Sequence, residues 1–191
     1  MEAEPKREGL EEYAVVLDYL PTGKSFSAKS EPITQLIGED KFTLLEATLK
    51  PGTSTKSGER VYIGKAEREK VSLIKSRLSF DELTEGAQKE LPAAIASIIR
   101  SHEEKFINIF NIAGPLNIRE HSLELLPGIG KKYLKAILDA REAKKFDSFA
   151  DLTGRVPMLQ DPVKLLTERV LVELRGDSRF YIMTRPYVKR Y

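Results

Sequence analysis

The chain reads as an α+β protein, a small antiparallel β-barrel followed by an all-helical part. Three observations predict this. From Tyr13 to about Leu78 the apolar residues fall in short runs punctuated by turn signals, the pattern of successive strands. After Phe80 they recur at three- and four-residue steps, the pattern of helices. Within the helical part a Pro-Gly-Ile-Gly-Lys-Lys phrase joins two helical segments. A length of 191 residues suits two small units of this kind.

The strands come first. Tyr13 to Leu20 is rich in β-branched and aromatic residues and stops at Pro21-Thr22-Gly23. A short strand is expected near Ile33 to Ile37. Phe42 to Leu49 stops at Pro51-Gly52, Val61 to Gly64 follows a loop of Gly, Ser and Thr, and Val71 to Leu78 alternates in part. Four or five strands at this spacing predict an OB-like barrel over residues 1–83. Strand count alone fits an SH3-like barrel equally well.

Residues 84–116 are expected to be connecting helices. Thr84 has the chemistry of an N-cap. Pro92 is expected to kink or restart the helix, because proline lacks an amide and crowds the preceding turn. Leu91, Ile95, Ile98, His102, Phe106 and Ile109 then mark one apolar face. Asn111-Ile112-Ala113-Gly114-Pro115-Leu116 ends the run and marks a boundary.

Residues 117–176 carry the functional signal. Asn117 and Glu120 have capping-box spacing, which predicts a short helix to about Leu125. The phrase Leu126-Pro127-Gly128-Ile129-Gly130-Lys131-Lys132 follows. A second helix then places Tyr133, Ile137 and Arg141 on one stripe, with Leu134 and Leu138 beside it. Phe146-Asp147-Ser148-Phe149-Ala150-Asp151-Leu152 opens another helix, with Ser148 and Asp151 as its cap. Asp161-Pro162 starts a last one, and Gly176 ends it. This succession resembles a tandem helix-hairpin-helix. The turn near Arg155-Val156-Pro157-Met158 lacks the two glycines and reads as a degenerate, structural counterpart.

The chemistry of the first turn follows from its residues. Gly128 and Gly130 reach backbone angles closed to other residues and let an anion approach the main chain. Unpaired amides at the start of the following helix, and its dipole, favour a phosphate there. Ile129 plugs the gap between the helices, and Lys131, Lys132 and Lys135 add charge. Gly128, Ile129, Gly130, Lys131, Lys132 and Lys135 are therefore the expected phosphate-binding residues. Such a grip leaves the bases unread, so binding should be sequence-independent and salt-sensitive.

The charge distribution agrees. The whole chain is only +2, but residues 1–83 carry −2, residues 84–117 carry −1 and residues 118–191 carry +5. Residues 177–191 form a basic tail in which Arg179, Arg185, Lys189 and Arg190 alternate with Phe180, Tyr181, Tyr187 and Tyr191. Basic and aromatic residues in alternation suit single-stranded nucleic acid. A strand at Phe180 to Met183 that returns to the barrel is the other reading, and the two are compatible. Together with Arg179, Tyr181, Arg185, Lys189 and Arg190, the barrel residues Tyr62, Lys65, Arg68, Lys75 and Arg77 are candidates for a second nucleic-acid surface.

The order of parts, with Glu12-Tyr13-Ala14-Val15-Val16-Leu17-Asp18-Tyr19-Leu20, Arg60-Val61-Tyr62-Ile63-Gly64 and the 126–132 phrase, resembles the archaeal domain-of-unknown-function 655 family. The resemblance spans nearly the whole chain. It implies a cytoplasmic protein that binds RNA or nucleotides, and supplies no reaction or active site.

Other classes are poorly supported. No stretch approaches the roughly 20 apolar residues that span a bilayer, and the charged first eight residues do not read as a signal peptide. The absence of Cys excludes disulfides, thiolate metal sites and Cys nucleophiles, and only His102 and His121 remain as imidazoles. His102 falls on an apolar face. Gly58 to Lys65 lacks P-loop spacing. No catalytic residue, metal or cofactor is expected. The expected function is non-catalytic, sequence-independent nucleic-acid binding, RNA before DNA, in the cytoplasm and away from membranes. A scaffold that docks ribosomal or transcription proteins is an alternative, and a carboxylate-dependent metal enzyme acting on nucleic acid is another.

Overall fold

The computed structural model describes residues 11–23 and 31–188. Five strands, β1 (Tyr13–Leu20), β2 (Ile33–Gly38), β3 (Leu44–Leu49), β4 (Arg60–Tyr62) and β5 (Val71–Arg77), form one antiparallel sheet in the order β4-β1-β2-β3-β5. Each of the five strands expected between Tyr13 and Leu78 is present. The sheet is a curled half-barrel. Among the described residues β4 and β5 do not pair: β4 is three residues long and all three pair with β1. Residues from both outer strands still meet, because Val61 and Val71 share a buried cluster with Ala14, Val16, Leu36, Leu45 and Ala47.

Alternation along β1 and β2 sends the other residues to the opposite face. Val15, Leu17 and Ile37 pack there on α1 (Glu85–Ser101) and α2 (Glu103–Ile112). A bulge between Val16 and Asp18 aims the Asp18 carboxylate at the start of α1. There it accepts from the Thr84 hydroxyl, while Thr84 Oγ1 accepts from the Ala87 amide at 3.0 Å. Gln35 completes the dock, accepting from the Thr84 amide and donating to the Glu82 carbonyl.

Glu11 secures the β2–β3 turn. Its carboxylate accepts from the amides of Asp40, Lys41 and Thr43. It lies directly over Gly38, where an added Cβ would come within 2.0 Å of its carboxyl carbon. The turn puts Phe42 at a φ of 52°, and its ring is buried against Phe106.

The helices differ from expectation at two places. Pro92 lies inside α1, which continues through it; the break falls at His102, whose carbonyl starts α2 by accepting from the Lys105 and Phe106 amides. Leu91, Ile95 and Ile98 around the proline are fully buried, so packing holds the helix across the missing amide. Second, Asn117 closes a tight turn by accepting from the Arg119 and Glu120 amides, and no helix starts there. The helix expected before Leu125 is one 3₁₀ turn, Ser122–Leu125, capped by His121 and Glu124. Beyond it come α3 (Lys131–Ala143), α4 (Phe149–Arg155) and α5 (Pro162–Arg175). The caps at Ser148 and Asp161 and the left-handed Gly176 are as expected.

Buried residues of the sheet, of α1 and α2, and of α3 to α5 belong to one contiguous cluster. At its edge lies a buried ion pair. Arg169 Nε donates to Glu173 Oε1 at 2.8 Å, with side-chain exposures of 6% and 0%. Glu173 also accepts from the amides of Ile182, Met183 and Thr184. Arg169 also donates to the carbonyls of Leu125 and Phe180 and to Ser178 Oγ. These bonds use the amides that a strand at Phe180 to Met183 would need, and the segment forms no strand.

Removing one partner of such a pair strands the other charge. Glu173→Gln should cost about 3–5 kcal/mol in urea unfolding, and a loss under about 1 kcal/mol would contradict the pair's structural role.

Candidate nucleic-acid interface

Residues 126–130 link the 3₁₀ turn to α3. The Ile129 amide donates to the Leu126 carbonyl at 3.1 Å, which closes a tight loop. Gly128 occupies its left-handed position at φ +83°. Ile129 points inward and is 4% exposed, in the cluster with Leu123, Leu126 and Ile137. The two glycines face solvent. Gly130 caps α3 with no side-chain bond, and the first turn of α3 holds no acid. The leading amides of α3 are thus left to solvent or to an anion.

The expected cations are not equally available. Lys131 bridges to Glu124, its Nζ 2.8 Å from Oε1, and also donates to the Arg119 carbonyl. The ammonium and the His121 amide hold the Glu124 carboxyl below its ordinary range. Lys135 pairs with Asp139 one turn along α3, with both side chains exposed. Lys132 is exposed and forms no ion pair among the described residues. It is the free charge at the turn.

A second turn lies beside the first. Residues 156–160 repeat its backbone: Pro157 follows Val156 as Pro127 follows Leu126, the Leu159 amide donates to the Val156 carbonyl, and Met158 takes the left-handed position at φ +65°. The Tyr133 hydroxyl donates to the Met158 carbonyl at 2.9 Å, and the Gln160 side chain lies next to Gly128. Here, however, Asp161 caps α5 by accepting from the Val163 amide. That carboxylate occupies the place an anion would take. The two turns share a shape and differ in charge.

Arg141 and Arg155 serve the frame. Arg141 donates to the Phe110 carbonyl, and Arg155 donates to the carbonyls of Ala140 and Lys144 at the end of α3. Both suit the negative end of a helix.

The barrel and tail candidates fall into separate places. Tyr62 stacks edge-on to Tyr13 at 5.2 Å, and its hydroxyl accepts from the Ala66 amide. Arg68 donates to the Gly64 and Ser72 carbonyls, so it braces the same loop. Lys65 and Lys75 are exposed. Arg179 lies over the neighbouring Phe180 ring. Arg77, Tyr181 and Arg185 do come together, lining a cleft beside β5 and the end of α5. Lys189 and Arg190 lie outside the described residues.

Three features escaped the sequence reading: the Glu124 partner of Lys131, Gln160 beside Gly128, and the Arg169–Glu173 pair. The last had a signal. Its i,i+4 spacing flanks Leu166 and Val170 on the apolar stripe of α5, which places both charges toward the core. Among the described residues no group of three His, Asp or Glu is arranged to hold a metal ion, and no helix is long and apolar enough to cross a membrane.

His121 gives the site a pH dependence. Its Nδ1 accepts from the Leu123 amide, which requires the unprotonated nitrogen. Burial, then the nearby Arg141 and Lys131 charges, push its pKa below the ordinary 6.5, against the pull of Glu124. A depressed histidine stabilises the fold above its unfolded pKa and loses that contribution as pH falls. Melting temperature should therefore drop from pH 7 to pH 5, and drop less in His121→Asn, which keeps a capping acceptor. An equal drop in both would exclude His121 as the cause.

Comparison with known proteins places the whole arrangement. Residues 10–185 match the family described as "Protein of unknown function (DUF655)". The chain is 39% identical over 182 residues to "Uncharacterized protein MJ0038" of Methanocaldococcus jannaschii, covering 94% of this chain and 82% of that one. It is also similar to the crystal structure of Af1531 from Archaeoglobus fulgidus, with a TM-score of 0.84 and 40% identity over 92% of this chain and all of that one. The chain therefore belongs to the DUF655 family.

Proposed function

We propose that the protein binds nucleic acid, RNA before DNA, by gripping backbone phosphate with the turn at residues 126–132. The observation that carries this reading is the uncapped N-terminus of α3. It begins at an exposed glycine, has no acid in its first turn, and presents Lys131 and Lys132. In this reading the two similar turns form a tandem helix-hairpin-helix, and the sheet is an OB-like barrel left open between its outer strands. The first turn is the binding one. Asp161 already fills the helix end at the second, which then serves as a support. The partner is a polynucleotide, the protein acts in the cytoplasm, and no catalysis is assigned to it.

Lys131 shares its charge with Glu124, so Lys132 and the free amides make the first contact with phosphate. A grip on backbone phosphate leaves the bases unread, so affinity should be indifferent to sequence and sensitive to salt.

Lys131→Glu with Lys132→Glu should abolish binding to a short duplex at low salt. Lys132→Ala alone should weaken binding evenly across sequences and lower the slope of log affinity against log salt by about 1. Fluorescence anisotropy measures both. Unchanged affinity in the double variant would overturn the assignment.

A further inference from the structure

The cleft beside β5 has features of a second anion site. It lies between the end of β5, the 3₁₀ turn Phe80–Glu82, the C-terminal end of α5 and the tail, and encloses about 140 Å³. Arg77, Arg175 and Arg185 line it, together with Phe80, Tyr181 and Tyr187. None of the three guanidinium groups forms an ion pair among the described residues. Arg77 is half-buried and donates to the Arg185 carbonyl, with its guanidinium carbon 5.9 Å from the centre of the Tyr187 ring. Burial first, and the Arg185 charge next, work against its protonated form. Arg175 lies over Phe80, 5.3 Å from the ring centre.

Three arginines gathered in one cleft, one of them half-buried and opposed by the Arg185 charge, raise the free energy of the unliganded protein, and the Glu11 charge offsets only part of this at Arg77. An anion in the cleft would lower it. Two acids line the same cleft. The Glu173 carboxylate is consumed by Arg169 and by the amides of Ile182, Met183 and Thr184, and the Glu82 carboxylate at the mouth accepts from Ser79 and is hydrogen-bonded to Tyr187, which leaves Asp81. The carbonyls at the end of α5 are also taken up, by the amides of Gly176 and Asp177. The tail wall is fixed, because Glu173 anchors residues 182–184 just before Arg185.

The chemistry selects the ligand. Guanidinium groups match phosphate oxygens in pairs, and aromatic rings with adjacent arginines stack on bases. A volume of about 140 Å³ is small beside the roughly 300–1,000 Å³ of sites for whole small molecules. It suits a phosphate inside and a base at the mouth.

We propose that this cleft binds a nucleoside monophosphate unit, with its phosphate on Arg77, Arg175 and Arg185 and its base stacked on Tyr181 or Tyr187. The site is distinct from the turn at Gly128. It lies at the far end of α5, whose 14 residues span about 21 Å. The unit comes either as a free nucleotide or as an unpaired nucleotide of a strand.

Titrations of the full chain with AMP and with inorganic phosphate, followed by NMR, test the proposal. AMP should bind about tenfold tighter than phosphate, the gain of one base stacked on an aromatic ring. Arg77→Ala with Arg185→Ala should weaken AMP at least tenfold. Arg185→Ala alone, at an exposed side chain, should weaken it several-fold and decides the matter if the double variant does not fold. Tyr187→Leu should narrow the gap between AMP and phosphate. Equal affinity for the two ligands, or AMP binding unchanged in Arg185→Ala, would overturn the proposal.

An RNA duplex with a three-nucleotide single-stranded extension, compared with its blunt form, separates the two sources. A gain from the extension that Arg185→Ala removes assigns the unit to a strand. AMP binding without such a gain assigns it to a free nucleotide. Lys131→Glu with Lys132→Glu should leave AMP binding intact, so failure at the turn and failure at the cleft are told apart.

Discussion

The Arg169–Glu173 ion pair ties together parts that secondary structure alone would leave loose. Two charges in a dry place are costly unless every lone pair and proton is used, and here the pair's surroundings supply the partners. Glu173 takes three successive amides of the tail, and Arg169 reaches one carbonyl before the 126–130 turn and another in the tail. The position of the first turn, the C-terminal end of α5 and the wall of the arginine cleft thus rest on one pair of side chains. A hydrophobic pair could fill the same volume, but it could not hold an irregular segment such as residues 178–184 by its backbone.

Around that anchor, charge separates what shape repeats. The turns at 126–130 and 156–160 have the same backbone, each with a proline, a left-handed residue and an inward apolar residue. One leads to a helix with a bare glycine cap and two lysines, the other to a helix closed by Asp161. In the proposed reading, the same backbone shape presents a binding end and a supporting end on one small surface. Glu124 holds Lys131 in an ion pair at the first of them. Lys131 and Lys132 on this surface, and Arg175 and Arg185 in the cleft, are part of the net excess of positive charge after residue 117.

Much of this was legible in the sequence where local chemistry decides. Thr84, Ser148, Asp161 and Gly176 cap their helices as their side chains or lack of them require. The strand runs were visible because β-branched residues alternate and end at Pro-Gly or Pro-Thr-Gly. The inward Ile129 between two exposed glycines was visible for the same reason. What failed was decided at long range. Pro92 does not interrupt α1, because Leu91 and Ile95 beside it are packed on the sheet. Asn117 has the spacing of a helix cap and closes an isolated turn, since Glu120 also pairs back to Leu116. The sheet curls into a half-barrel in which, among the described residues, β4 pairs with β1 alone. The cleft draws on residues 44 to 187, and no local pattern announces such a gathering.

The proposed phosphate-binding surface is the backbone of the first turn. An amide-resolved NMR titration with a short duplex tests it most directly. The amides of Gly128, Gly130, Lys131 and Lys132 should move first and together, and added salt should reverse the movement. Shifts that leave these four amides unmoved while the duplex is bound would contradict it.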